Sequence, residues 1–228
     1  MMIVNKVPVK KLVEFRRLSE RSQLTFAKNL KIPKKPKSDN NNGGDYWIRS
    51  TSGLSNAFKS NDSSKIKEKI DEVLGVYGST KNALTKIMYK RNLEILHNYQ
   101  NFDFSIWRPS TDLKFLSKTK TPVTIKEIPL QVIPHHVFCY DNKGEPTIGG
   151  IWFIVWLDGF KAGDLGIYAE AIFRYLSDSY SKRYKVDPNY CLTVDALSTE
   201  TASYQQVVEG KIPSWFESTI DILNKYLG

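Results

Sequence analysis

The segment that most limits the fold is residues 148–157, IGGIWFIVWL. Successive strand residues point to opposite faces, and both alternating sets are apolar here, so as a strand this segment has no side suited to water. It is expected to be central in a sheet. Asp141-Asn142-Lys143-Gly144 lies just before it and after residues 137–140, which is the pattern of a hairpin turn between two strands. Trp152 and Trp156 share one face of the later strand, and at least one is expected in the core.

Other elements follow from capping residues and periodicity. Residues 123–133 alternate in part and are rich in β-branched side chains, and residues 191–196 and 202–208 read as two further strands. Asp164 can cap a helix carrying Leu165, Tyr168, Ile172, Phe173, Tyr175 and Leu176. Residues 215–227 form a closing amphipathic helix with Phe216, Ile220, Ile222 and Leu223. Earlier, Asp62 or Ser63 can cap a helix through Ile66, Ile70, Val73 and Leu74 that stops near Gly75 and Gly78. Ser79 or Thr80 can cap the next, which runs to about Tyr99. Its apolar face reads as Leu84, Ile87, Met88, Ile95 and Tyr99, with Arg91 in the middle. No internal repeat is present. The order predicts an α+β fold: a helical N-terminal part, then a mostly antiparallel sheet with helices on at least one face.

Charge divides the chain differently. Residues 1–37 hold eleven Lys or Arg against Glu14 and Glu20, a net +9, while the remainder holds 22 basic and 22 acidic residues. Residues 9–30 suit one amphipathic helix, with Leu12, Phe15, Phe26 and Leu30 on one face. Lys10, Arg17, Arg21 and Lys28 then fall within about 40° of one another on the opposite face. Residues 31–45, KIPKKPKSDNNNGGD, read as a linker, because Pro33 and Pro36 bar a helix and the Asn and Gly run has nothing to bury. The expected organisation is a basic helical arm and linker over 1–45 and one α+β body over 46–228, helical to 108 and sheet-containing after it.

The sharpest local motif is Arg91-Asn92-Leu93-Glu94-Ile95-Leu96-His97. It resembles the R-x(4–6)-H motif of HEPN-type ribonucleases, including the polar residue after the Arg. That resemblance implies metal-free RNA cleavage, with Arg91 stabilising phosphate charge and His97 moving a proton. The alternative is structural: Arg91 packs its stem beside apolar neighbours and pairs with a carboxylate, and His97 is a surface residue. A strand-rich centre with a basic arm is also similar to the PD-(D/E)XK nuclease fold, but no Asp or Glu followed two residues later by Lys falls on a central strand. Residues 134–204, with IGGIWF and YCLTVDALS, resemble uncharacterised bacterial or phage α+β proteins, a likeness that implies no activity. His135 and His136 point to opposite sides of a strand and cannot hold one metal ion together. No phosphate-cradling glycine loop or nucleophile elbow is present, so no cofactor or metal is expected.

No apolar run approaches the eighteen or so residues of a membrane span, and the N-terminal residues lack the pattern of a secretory signal. Cys139 and Cys191 are too few for a disulfide scaffold and are expected as buried thiols in a reducing compartment, which points to the cytoplasm. The sequence therefore favours a non-enzymatic protein that contacts nucleic acid through Lys10, Arg17, Arg21, Lys28, Lys34, Lys35 and Lys37. The body would offer a protein-partner or homodimer surface. The alternatives are the ribonuclease using Arg91 and His97, and an adaptor whose basic arm docks an acidic protein.

Overall fold

The protein is described here by a computed structural model covering residues 5–32, 45–119 and 121–228. The chain begins with β1 (Val7–Pro8), α1 (Val9–Arg17) and α2 (Glu20–Leu30), followed by α3 (Ile48–Ser60), α4 (Ser64–Ser79) and α5 (Ala83–Asn98). After a single 3-10 turn come β2 (Lys114–Leu116), β3 (Val123–Ile125), β4 (Ile128–Gln131), β5 (His136–Asn142) and β6 (Glu145–Ile154). The chain closes with α6 (Ala162–Tyr180), β7 (Lys185–Asp195), β8 (Thr201–Ser203), α7 (Tyr204–Val208) and α8 (Phe216–Leu227). The fold is α+β.

The main sheet has the order β2-β5-β6-β7-β8, with β6 central. Its pairings are antiparallel except β6 with β7, which are parallel and joined through α6. The β5–β6 turn is Lys143-Gly144, both at positive φ, the backbone of a type I′ hairpin. A smaller sheet has the order β1-β4-β3.

Residues of β6 alternate between two cores, as an apolar-on-both-faces strand requires. Ile151 and Phe153 pack with α3 and α5 through Leu54, Phe58 and Ile95, while Ile148 and Ile154 pack with α6 and α8 through Ile172 and Ile220. Gly149 and Gly150 permit close approach on opposite sides. A Cβ on Gly149 would lie 2.7 Å from the Cβ of Tyr190, and one on Gly150 would lie 3.1 Å from Ile172 Cγ2. Trp152 and Trp156 are both only half-buried, at the margin of the α6-side core.

Several local expectations are corrected. Residues 9–30 are two helices, because Leu18 and Ser19 are extended. The four predicted cations therefore do not share one straight face. Residues 5–32 also form part of the body: β1 pairs with β4, and Val7, Val9, Leu12, Val13 and Phe15 are fully buried in the core that holds α6 and α8. Residues 204–208 form α7, not a strand, since the Ser203 hydroxyl accepts from Gln206 N and the Gln206 side chain accepts from Ser203 N. On α5 the buried residues are Tyr89, Asn92, Leu93, Ile95 and Leu96, whereas Leu84 is 77% and Ile87 47% exposed. The buried stripe is thus rotated from the predicted one, and Asn92 replaces Arg91 at its centre.

Because α1 is core, Phe15→Ala should destabilise the protein by about 3–5 kcal/mol, and chain 46–228 alone should not unfold cooperatively. Urea denaturation followed by circular dichroism checks both.

Candidate functional site

Helices α1 and α2 turn their apolar residues inward and so carry their charge outward. Residues 5–32 contain eight Lys or Arg against Glu14 and Glu20. Lys10, Arg21 and Lys28 are exposed and make no ion pair among the described residues. Lys34, Lys35 and Lys37 lie outside the described residues.

Arg17 behaves differently. Its guanidinium pairs with the buried Asp164 carboxylate, donates to Gly159 O at 2.9 Å and lies 4.2 Å from the centre of the Trp156 ring. Asp164 also accepts from Lys161 N at 2.9 Å, so one carboxylate caps α6 and anchors α1. The expectation that Arg17 is a freely presented cation is therefore corrected: it is held in a structural ion pair. Arg16, which the sequence reading passed over, lies 4.1 Å from the centre of the Trp215 ring. These side chains and Lys161 line a concavity of about 710 Å³. It carries three cations to one carboxylate, with an indole in its wall. Arg16 and Trp215 are 199 positions apart, so no local pattern could have joined them.

A second, smaller cleft of about 210 Å³ opens where α1 and the start of α3 meet the carboxyl end of β6 and the side of α6. Trp47, Trp152, Tyr168 and His135 line it, with Lys10 and Asp45. Phe153 N donates to His135 Nδ1 at 3.1 Å, so the neutral ring carries its proton on Nε2. Burial pushes the His135 pKa down to about 3, helped by His136 and Lys118. Tyr168 is 2% exposed, and burial raises its pKa, so its phenol stays protonated. Neither the His135 Nε2 nor the Tyr168 hydroxyl makes a hydrogen bond among the described residues.

Arg91 and His97 are not brought into one site. Arg91 is half-buried and donates to the Tyr46 hydroxyl at 3.3 Å, while His97 is exposed. Six residues on a helix separate them by about 9 Å along the axis. The polar residue between them has a structural task. Asn92 Oδ1 accepts from Ser50 N at 2.9 Å, and its Nδ2 donates to Tyr46 O at 2.9 Å and Met88 O at 2.8 Å. Asn92 therefore fastens the start of α3 to α5.

His135 and His136 diverge, as the strand geometry predicts. His136 Nε2 lies 2.9 Å from Ser55 O and 2.7 Å from Ser55 Oγ, and its ring stacks on Phe58. Burial lowers its pKa to about 4; the hydrogen bond to Ser55 opposes that, while Lys118, Lys59 and Arg108 reinforce it. A serine beside such a weakly basic imidazole gains little activation. The contact ties α3 to the sheet. Among the described residues no three His, Cys, Asp or Glu side chains gather as a metal site, and no helix is long and apolar enough to cross a membrane. Cys139 and Cys191 are buried free thiols.

Comparisons of the chain with protein-family models, with curated proteins and with solved structures give no match.

Two outcomes follow from this geometry. Asn92→Ala should cost about 2–4 kcal/mol by stranding buried backbone groups, and His97→Ala less than about 0.5 kcal/mol, both read from urea midpoints. Acid should weaken the fold through His135 and His136. Above the ordinary histidine pKa of about 6.5 both states are neutral. As pH falls toward the folded values of about 4 and about 3, only the unfolded chain takes up the protons. Stability is therefore present above pH ~6.5 and lost below it, by up to about 1.4 kcal/mol per pH unit for each histidine. His136→Gln should flatten that slope between about pH 6 and 4.5 by up to one histidine's share.

Proposed function

We propose that the protein binds nucleic acid through α1, α2 and the N-terminal end of α6, without a chemical step of its own. The observation that carries this reading is the +6 net charge of residues 5–32, borne on helices whose apolar faces are buried. Lys10, Arg21 and Lys28 are consequently left outward. A large net charge of one sign on one surface raises self-repulsion unless an anion is near. The concavity lined by Arg16, Arg17, Lys161 and Trp215 adds cations beside an aromatic ring, the pairing that suits phosphates and bases together.

Support for a partner surface on the body comes from α5, where Leu84 and Ile87 lie three residues apart on one face and are exposed. Large exposed apolar side chains at helical spacing suit a protein contact. Leu84→Glu should then lower any self-association seen by sedimentation, and an unchanged sedimentation profile across protein concentration would remove this second reading.

Affinity for a nucleic-acid strand should fall steeply with salt, with a log–log slope of about −0.7 to −0.9 per phosphate neutralised. The double variant Arg21→Glu, Lys28→Glu should bind at least about 10-fold more weakly and show a slope shallower by about 2. Its melting temperature should be unchanged, since both side chains are exposed. Fluorescence anisotropy at several salt concentrations measures all three quantities. Equal affinity of the variant and the parent would overturn the reading. Cleavage of labelled RNA in EDTA, lost in His97→Ala, would replace it with the ribonuclease.

A further inference from the structure

The cleft at the carboxyl end of β6 has the properties of a site for one flat, polar ring. We infer that it receives a single unstacked base of a single-stranded nucleic acid, an inference that rests on the nucleic-acid reading above and names the form of strand bound. The walls are aromatic: Trp47, Trp152 and Tyr168. Trp152 and Tyr168 meet edge to face, with ring centroids 5.2 Å apart and an interplanar angle of 85°. A base has a π face whatever its identity, and stacking on such rings is the usual source of affinity in single-strand binding.

The polar groups in the cleft suit the edge of a base. His135 is fixed as a neutral ring by the bond from Phe153 N to Nδ1, which leaves Nε2–H as a donor. The Tyr168 side chain lines the cleft, and its hydroxyl makes no hydrogen bond among the described residues. Polar groups set among aromatic walls orient a small planar molecule with polar edges.

Size and position narrow the occupant further. At about 210 Å³ the cleft is smaller than the roughly 300–1,000 Å³ of pockets for drug-sized ligands. It has room for a ring and not for a nucleotide with its sugar and phosphate, which must stay outside. Lys10 lines the cleft and lies on α1, so the backbone of a strand with its base inside would pass the basic helices. The carboxyl ends of parallel strands are where open sheets with crossover helices commonly receive ligands, and β6 belongs to the one parallel pair of the main sheet. A base held in a duplex presents only its edges, so the strand must be single.

The test compares two single strands of equal phosphate number, oligothymidylate and the same length built from abasic spacers. The parent protein should bind the base-bearing strand about 10-fold more tightly. Trp fluorescence should change on binding oligothymidylate and not on binding the spacer strand. Tyr168→Phe removes one unpartnered oxygen and should keep the melting temperature. It should also reduce the preference for the base-bearing strand several-fold, with the loss confined to that strand. Arg21→Glu with Lys28→Glu should weaken both strands alike. Equal affinity of the parent for the two strands would overturn the base-binding inference while leaving the polyanion reading intact, and binding to neither would overturn both. Displacement of the strand by free thymidine monophosphate at comparable concentration would show that the ligand is a free nucleotide and would overturn the strand as its source.

Discussion

Burying β6 on both faces dictates most of the remaining architecture. Its backbone is engaged by β5 on one edge and β7 on the other. A parallel neighbour requires a crossover connection, since a tight turn can join only antiparallel strands. That crossover is α6, and it covers one face. From Gly163 to Ile172 every residue of α6 is buried, so the helix is enclosed on all sides and must itself be covered from outside. Helices α1 and α8 supply that cover, and for this reason the N-terminal residues are drawn into the body. The opposite face of β6 is closed by α3 and α5, which occur before the sheet in the chain.

Enclosing α6 has an electrostatic consequence. Asp164 becomes 1% exposed and Glu170 3% exposed, and a buried carboxylate without a partner is strongly destabilising. Arg17 answers the first. Arg174, four residues along the same helix, answers the second and also reaches Glu217 of α8. Burial raises the Glu170 pKa and the Arg174 contact opposes it. The positive charge of the first helices is thus of two kinds. Arg17 completes the fold, while Lys10, Arg21 and Lys28 make no ion pair among the described residues.

Legibility in the sequence followed the range of the interaction concerned. The β5–β6 hairpin and the start of α4 at Asp62, whose carboxylate accepts from Ser64 N at 2.8 Å, each depend on residues within four positions and are readable, whereas Asp164 is the third residue of α6 and caps it from inside, with Lys161 at the N-cap. Helix α3 is not readable, because RSTSGLSNAFKS holds few large apolar residues and closes on small ones; a Cβ on Gly53 would lie 2.8 Å from Leu96 Cδ2. The stripe on α5 was misread because a buried Asn counts as polar in any periodicity argument, and Asn92 is apolar in position only through partners in α3 and at Tyr46. The start of α7 rests on the reciprocal bonds of Ser203 and Gln206, in a segment whose β-branched Val207 and Val208 favour a strand by composition. Neither the cleft nor the Arg16–Trp215 contact had a signal at all, since each joins segments more than a hundred residues apart.

The two halves of the candidate interface arise from one packing event. Helix α1 lies beside Trp152, on β6, and Trp156, two residues beyond the end of β6. Lys10 and Arg17 are seven residues apart, about 10 Å along a helix. Arg17 meets Trp156, and Lys10 lines the same cleft as Trp152. At one end the match is closed: Arg17 covers the Trp156 ring and is locked by Asp164. At the other end Lys10 makes no ion pair among the described residues, and it lines the cleft with Trp152 and Asp45. The buried carboxylate accounts for the asymmetry. Where Asp164 is present, an arginine is pulled down onto the aromatic ring. Where α6 instead presents the neutral Tyr168, Lys10 makes no ion pair among the described residues and lines the cleft with Asp45 and three aromatic rings.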